Sequence, residues 1–144
     1  MHIIWASDSV EPFAKFSDKM TFILALTSNP GSADFQRLVF DGKPLFQHVI
    51  EKSISWGTIE STGFVTGATH PEDISKIRKI IPENYLLIPG VGTQGGDVQS
   101  LMRSNGNGPS IINVSRDIIY ASNGKDFGAS SSVRAKYYKE LFAF

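Results

Sequence analysis

Four short apolar runs punctuate the chain, at residues 22–26, 63–66, 85–88 and 110–114. The first, Phe22-Ile23-Leu24-Ala25-Leu26, is apolar throughout, with no polar alternation. Such runs suit parallel strands covered on both faces. Residues 2–5 can be read as a fifth, clipped strand. After each run come turn residues and then a stretch with helical spacing. Asp8 with Glu11 predicts a capping box, with Pro12 still in the first turn. Pro44 predicts the start of another helix, with Leu45, Val49 and Trp56 as core contacts. Pro71 fits a first helical position; Glu72 and Asp73 suit the positive end of the dipole, and Arg78 and Lys79 close the last turn. On that helix Ile74, Ile77 and Ile81 form one buried stripe. A last helix runs from about Phe127, with Ala129, Val133, Tyr137 and Leu141 spaced by four. Strand and helix alternate, the signature of a parallel α/β fold in a single domain, 1–144.

Composition narrows the function more than the fold. The 144 residues carry 14 Lys plus Arg and 14 Asp plus Glu, and 41% are hydrophobic. A balanced chain has no overall field to draw in nucleic acid or an anionic membrane, so neither is an expected partner. There are no cysteines, which removes disulfides, thiolate metal sites and thiol nucleophiles. No apolar run is long enough for a signal-peptide core or a membrane span. The expected setting is the cytoplasm. His2, His48 and His70 lack metal-ligand spacing, with His48 read as a helix-surface residue and His70 as a cap or first-turn residue. Neither a metal nor a cofactor is predicted.

Parallel α/β folds bind ligands where their strands end. The segments to inspect are Thr27-Ser28-Asn29-Pro30-Gly31, Gly67-Ala68-Thr69-His70, the stretch 89–97, and Ser115-Arg116-Asp117. The third reads Pro89-Gly90-Val91-Gly92-Thr93-Gln94-Gly95-Gly96-Asp97 and precedes a predicted helix. Its glycines let backbone approach a ligand, and the helix start offers unpaired N–H groups: a phosphate site. Gln94 can add a side-chain amide. Arg116 follows the next strand and would stand beside this loop, where a guanidinium can hold phosphate oxygens. The bland alternatives are a loop that uses glycine only to turn, and a surface arginine paired with Asp117 or Asp126.

A rival reading uses the same segment. Gly90, Gly92 and Gly95 satisfy the spacing of a dinucleotide fingerprint, with Asp117 about 20 residues on where a ribose-binding acid belongs. Against a Rossmann-type domain stand Pro89 at the head of the loop, the second glycine Gly96, and Arg116 beside the supposed acid. No Gly-Lys-Ser/Thr ending is present, so a nucleotide triphosphatase is not expected.

Taken in order, the motifs at 27–31, Gly67-Ala68-Thr69, the glycine stretch 89–97 and Arg116 with Ile119-Tyr120 resemble the later loops of the orotidine 5′-phosphate decarboxylase family, in its longer bacterial branch. The resemblance covers nearly the whole chain. It implies strands five to eight of a (β/α)8 barrel, with residues 1–18 as the end of strand four and its helix. It implies that Pro89, Gly92, Gly95, Gly96 and Arg116 hold the substrate phosphate, that Gln94 reaches phosphate and pyrimidine, and that Ser28 contacts the pyrimidine edge. Thr93 departs from the alanine more usual there.

The family decarboxylates orotidine monophosphate to uridine monophosphate without a cofactor, through an alternating Lys-Asp-Lys-Asp array on earlier strands. Asp41-Gly42-Lys43 echoes part of its Asp-x-Lys-x-x-Asp motif, but Phe46 takes the place of the last aspartate, and these residues are expected before a helix and not on a strand. No catalytic residue is therefore assigned in this chain. The resemblance implies a truncated lyase lacking the first half of the barrel, inactive alone. The alternatives are a non-catalytic phosphate-binding half-barrel and the Rossmann-type domain. An open half-barrel would show water its interior side chains, expected to include Ile23, Ala25, Val65 and Ile112. It should therefore form a homo-oligomer or pair with a missing amino-terminal half.

Overall fold

A computed structural model of the chain describes residues 6–68, 70–91 and 98–142. The run at residues 2–5 lies outside them. Four strands, β1 (Thr21–Leu26), β4 (Thr62–Thr66), β5 (Leu86–Pro89) and β6 (Ser110–Asn113), form one sheet in that order. Every neighbouring pair is parallel. Between and after them lie the single turn α2 (Ser32–Phe35), α3 (Leu45–Ser53), α4 (Pro71–Ile80), α5 (Val98–Asn105), the single turn α6 (Arg116–Ile119) and α7 (Phe127–Leu141). All four apolar runs are strands. The third starts at Leu86, because Tyr85 already faces water while its carbonyl accepts the N–H of Phe64.

One face of the sheet is packed and the other is not. Ile23, Ala25 and Leu26 of β1, Phe64 of β4, and Leu86 and Ile88 of β5 are buried against Phe46 and Ile50 of α3, Ile74 and Ile77 of α4, and Leu101 of α5. Full burial of each Ile, Leu or Phe side chain among them stabilises by roughly 1.5–3 kcal/mol. Ile74, Ile77 and Ile81 are buried as their spacing predicts. On the opposite face the register sets Leu24, Val65, Leu87 and Ile111 side by side across all four strands. The first three are half-buried and Ile111 is exposed. The expected interior set needs correction here: Val65 belongs to it, but Ile23, Ala25 and Ile112 lie on the helix side. A register shift between Leu24 and Leu26 leaves Ala25 as the extra residue, which is why both Ala25 and Leu26 turn inward.

Two helix starts differ from the sequence reading. In α1 (Ser7–Ala14) the cap position belongs to Ala6, so Asp8 lies inside the helix, where its carboxylate accepts the N–H of Ser9 at 3.0 Å. Pro12 consequently sits in the second turn. Pro44 is not the first residue of α3 but its extended cap, φ −62° and ψ 147°. It ends a two-stranded antiparallel hairpin, β2 (Val39–Phe40) with β3 (Lys43–Pro44). The turn between them holds Asp41 at φ 47° and Gly42 at φ 77°, the left-handed pair that an Asp-Gly two-residue hairpin requires. Lys43 therefore does lie on a strand, though not one of the main sheet, and its ammonium pairs with Glu51. On α3 the buried residues are Phe46, Ile50 and Ser53, while Leu45 is exposed; Trp56, just past the helix, packs against the core as expected. His48 does occupy the surface of α3, and His70 caps α4 through its backbone position.

Candidate functional site

The carboxyl ends of β1, β4 and β5 open onto a small hollow of about 160 Å³, lined by Leu24, Thr27, Ser28, Val65, Gly67 and Pro89 among others. Ser28 and Pro89, both expected at the site, thus share one cavity. Gly67 lets the two strand ends meet: a Cβ there would stand 2.6 Å from the Cβ of Ser28 and 2.8 Å from its nitrogen. The segment after β1 is held down at two points. Gln36 accepts the N–H of Thr27 at 2.8 Å and donates to its hydroxyl at 2.9 Å. Arg37 donates to the buried carboxylate of Asp73 at 2.7 Å. Neither Gln36 nor Arg37 stands out in the sequence, since both read as surface polar residues of a loop.

β5 ends at Pro89, and the chain turns at Gly90 with φ 92°, a conformation that favours glycine. Val91 then tucks into the core. Gly92, Gln94, Gly95 and Gly96, the rest of the expected phosphate loop, lie outside the described residues. The register pairs Pro89 with Asn113, so the head of this loop and the end of β6 are neighbours. Arg116, three residues past Asn113, opens α6 and is exposed. The head of the glycine stretch and the segment that carries Arg116 therefore leave the sheet from adjacent strand ends.

Arg116 is not paired with either acid that the bland reading offered. Asp117 Oδ2 accepts a hydrogen bond from Tyr138 Oη at 2.6 Å and another from Arg134 Nε at 2.6 Å. Asp126 accepts the hydroxyls of Ser122 and Ser130. The Tyr138 hydroxyl, then Arg134, hold the Asp117 carboxyl below the usual carboxylate range. Burial, then the bond to Asp117, push the Tyr138 phenol up. An aspartate so occupied is not free to hold a ribose, which removes the acid from the dinucleotide reading.

A second hollow, of about 560 Å³, borders α5, α7 and the turn before β6, and contains none of the predicted site residues. Among the described residues no group of three or more His, Asp or Glu could hold a metal ion. No helix among them is long and apolar enough to cross a membrane.

Parallel strands alternating with helices, with a hollow at their carboxyl ends, define the class: part of a (β/α) barrel. The profile of the "Orotidine 5'-phosphate decarboxylase / HUMPS family" matches residues 1–127. The chain belongs to this family. It is 47% identical over 138 residues to an orotidine 5′-phosphate decarboxylase of Christiangramia forsetii, covering 94% of this chain and 51% of that protein. The corresponding Flavobacterium johnsoniae protein is 43% identical over 130 residues, covering 89% of this chain and 48% of the relative. The chain thus spans about half the length of the curated relatives it matches. Among solved structures, Leishmania donovani UMP synthase superposes with a TM-score of 0.78 at 31% identity, over 96% of this chain and 32% of that one. Orotidine 5′-monophosphate decarboxylase from Methanocaldococcus jannaschii, complexed with the inhibitor BMP, gives 0.71 at 25% identity, over 96% and 56%. The fold class is accordingly half of a (β/α)8 barrel, as the motifs implied, and a Rossmann-type domain is not favoured.

Proposed function

We propose that this chain is the phosphate- and pyrimidine-binding side of an orotidine 5′-phosphate decarboxylase, one folded unit over 1–144. Its ligand would be a pyrimidine nucleotide monophosphate. One observation supports the reading: Pro89 and Asn113 are register partners, so the residue that heads the glycine loop and the strand that leads to Arg116 end side by side at the carboxyl edge of the sheet. In this assignment Pro89, Gly92, Gly95 and Gly96 bring backbone against the phosphate and Arg116 neutralises it. Gln94 spans phosphate and base, and Ser28, in the hollow beside Pro89, meets the pyrimidine edge.

Decarboxylation needs charges preorganised at the carbon that loses carbon dioxide, including an ammonium to protonate the carbanion. The four sheet strands carry no charged side chain. Asp41 and Lys43 belong to the hairpin, and Phe46 is buried in the core. The chain by itself should bind without turning over, in a cytoplasmic pathway, and reach activity only with a partner that supplies the array. That partner, or a second copy, would lie against the open row of Leu24, Val65, Leu87 and Ile111.

Two titrations test this. Uridine monophosphate should bind weakly, and Arg116→Ala should weaken it about tenfold or more, the worth of one charge-assisted bond of roughly 1.5–3 kcal/mol. NADH binding in place of the monophosphate would refute the assignment. Loss of orotidine absorbance should not be measurable with the pure chain; turnover at enzymatic rates would show a catalytic array among residues given no such role here.

A further inference from the structure

We propose that Asp117 is a positioning residue that aims Arg116 at the ligand phosphate, an inference that rests on the function just assigned. α6 is a single turn, too short to hold its own direction. Among the described residues its backbone bonds stay local, from Ile118 and Ile119 to Ser115, from Tyr120 to Arg116 and from Ala121 to Ile118. Two side chains tie it to the rest of the molecule: Ile118 packs against the core, and the Asp117 carboxylate is gripped at 2.6 Å by both Arg134 and Tyr138 of α7. Both grips are themselves braced. The Tyr138 ring is buried and stacks on Phe142 at 5.8 Å, and the Arg134 guanidinium lies 4.8 Å and 5.2 Å from the Tyr137 and Tyr138 ring centres.

Consecutive residues of a helix point about 100° apart. With Asp117 turned towards α7, Arg116 is turned away from it, and it is exposed. The carboxylate, the polar one of the turn's two anchors, therefore fixes its rotation together with Ile118, and the guanidinium inherits it. A guanidinium fixed before the ligand arrives loses less side-chain freedom on binding than one that must be ordered then.

A double-mutant cycle on the full chain tests this, with uridine monophosphate as the probe. Asp117→Asn should weaken binding about three- to tenfold, and Tyr138→Phe, which removes one hydroxyl from a stacked ring, should do so by a smaller factor. In the Arg116→Ala background Asp117→Asn should cost nothing further, because its effect passes through the arginine. Additive losses, or Asp117→Asn binding like the parent, would overturn the inference while leaving the phosphate site standing. Failure of the parent chain itself to bind would overturn both. Should Asp117→Asn not fold, Tyr138→Phe in the same cycle separates the same outcomes.

Discussion

At the amino edge of the sheet a buried guanidinium does the fastening; at the carboxyl edge the task falls to a carboxylate. Arg78, 9% exposed, leaves the end of α4 and runs beneath the strands. Its Nε donates to Asn105 Oδ1 at 2.9 Å. Nη1 donates to the carbonyls of Ile81 at 3.2 Å and Asn84 at 2.7 Å, and Nη2 to that of Pro109 at 2.6 Å. Asn84 and Pro109 lie just ahead of β5 and β6, so one side chain ties a helix end to two strand entrances. Asn84 extends the tie to β4 by donating to the Thr62 carbonyl. All three guanidinium nitrogens of Arg78 are spent on the protein. At the other edge Asp117 holds α6 from behind and leaves the neighbouring Arg116 exposed. A guanidinium at the base is structural because its donors are satisfied; the one at the mouth can be functional because another residue does the fastening.

The largest expected effect lies at the base. Arg78→Met keeps the aliphatic stem but strands buried carbonyls and the Asn105 amide, which should cost about 3–5 kcal/mol in urea unfolding. Burial pushes the guanidinium down to about 10, so it stays charged at neutral pH and its hydrogen bonds offset the desolvation. A loss below about 1 kcal/mol would mean that water replaces these bonds and the base is not dry. Charge at neutral pH also predicts that Arg78→Lys fails to rescue, since an ammonium cannot span acceptors on three sides.

Next in size are two matched glycine substitutions. A Cβ at Gly108 would run into the Arg78 guanidinium, and one at Gly67 would stand 2.6 Å from Ser28. Each alanine should destabilise by about 1–3 kcal/mol, the usual range for overpacking. They should part company in binding. Gly67→Ala displaces Ser28 within the mouth and should weaken uridine monophosphate binding, whereas Gly108→Ala should leave it unchanged. Equal effects on the ligand would dissolve the distinction between the two ends.

The sequence showed the strands better than their orientation. Phe22-Ile23-Leu24-Ala25-Leu26 is apolar at every position, so nothing in it says which residues face the helices, and the shift at Ala25 breaks the alternation again. Arg78 read as a helix-end cation, which it is, but its place among Ile74, Ile77 and Ile81 was the available sign that it would be buried. The spacing of Ala129, Val133, Tyr137 and Leu141 pointed to one face of α7, yet Val133 and Tyr137 are exposed and Tyr138 is buried. Tyr138 and Arg134 are chosen by the partner carboxylate on α6, which no periodicity encodes. The hairpin escaped because its strands are two residues long, although Asp41-Gly42 carried its signal. The position of Ser28, Pro89 and Arg116 at or just past strand ends was legible because each directly ends or follows an apolar run of a parallel α/β sheet.

Acid should separate the two ends with the smallest perturbation, confined to one helical turn. The folded Asp117 carboxyl titrates below its ordinary value because Tyr138 and Arg134 favour the ionised form. Its contribution is therefore complete above the unfolded value, about 4, and is lost as pH falls through the lower folded value. Asp126, held down by the hydroxyls of Ser122 and Ser130 just ahead of and within α7, moves in the same sense. Around Arg78 no such group is used: its acceptors are carbonyls and an amide, which keep their state throughout this range, and the lowered carboxyl of Glu60 ahead of β4 is held by Thr58 and not by Arg78. Methyl resonances of Ile118 and Ile119 should shift as pH falls below about 4, while those of Ile77 and Ile81, beside Arg78, stay in place. Asp117→Asn should remove the α6 shift and leave any Asp126-linked change on α7. Were both sets of methyls to move together, the sheet would be melting as one unit, and the carboxylate would not be a separate fastening for the turn that carries Arg116.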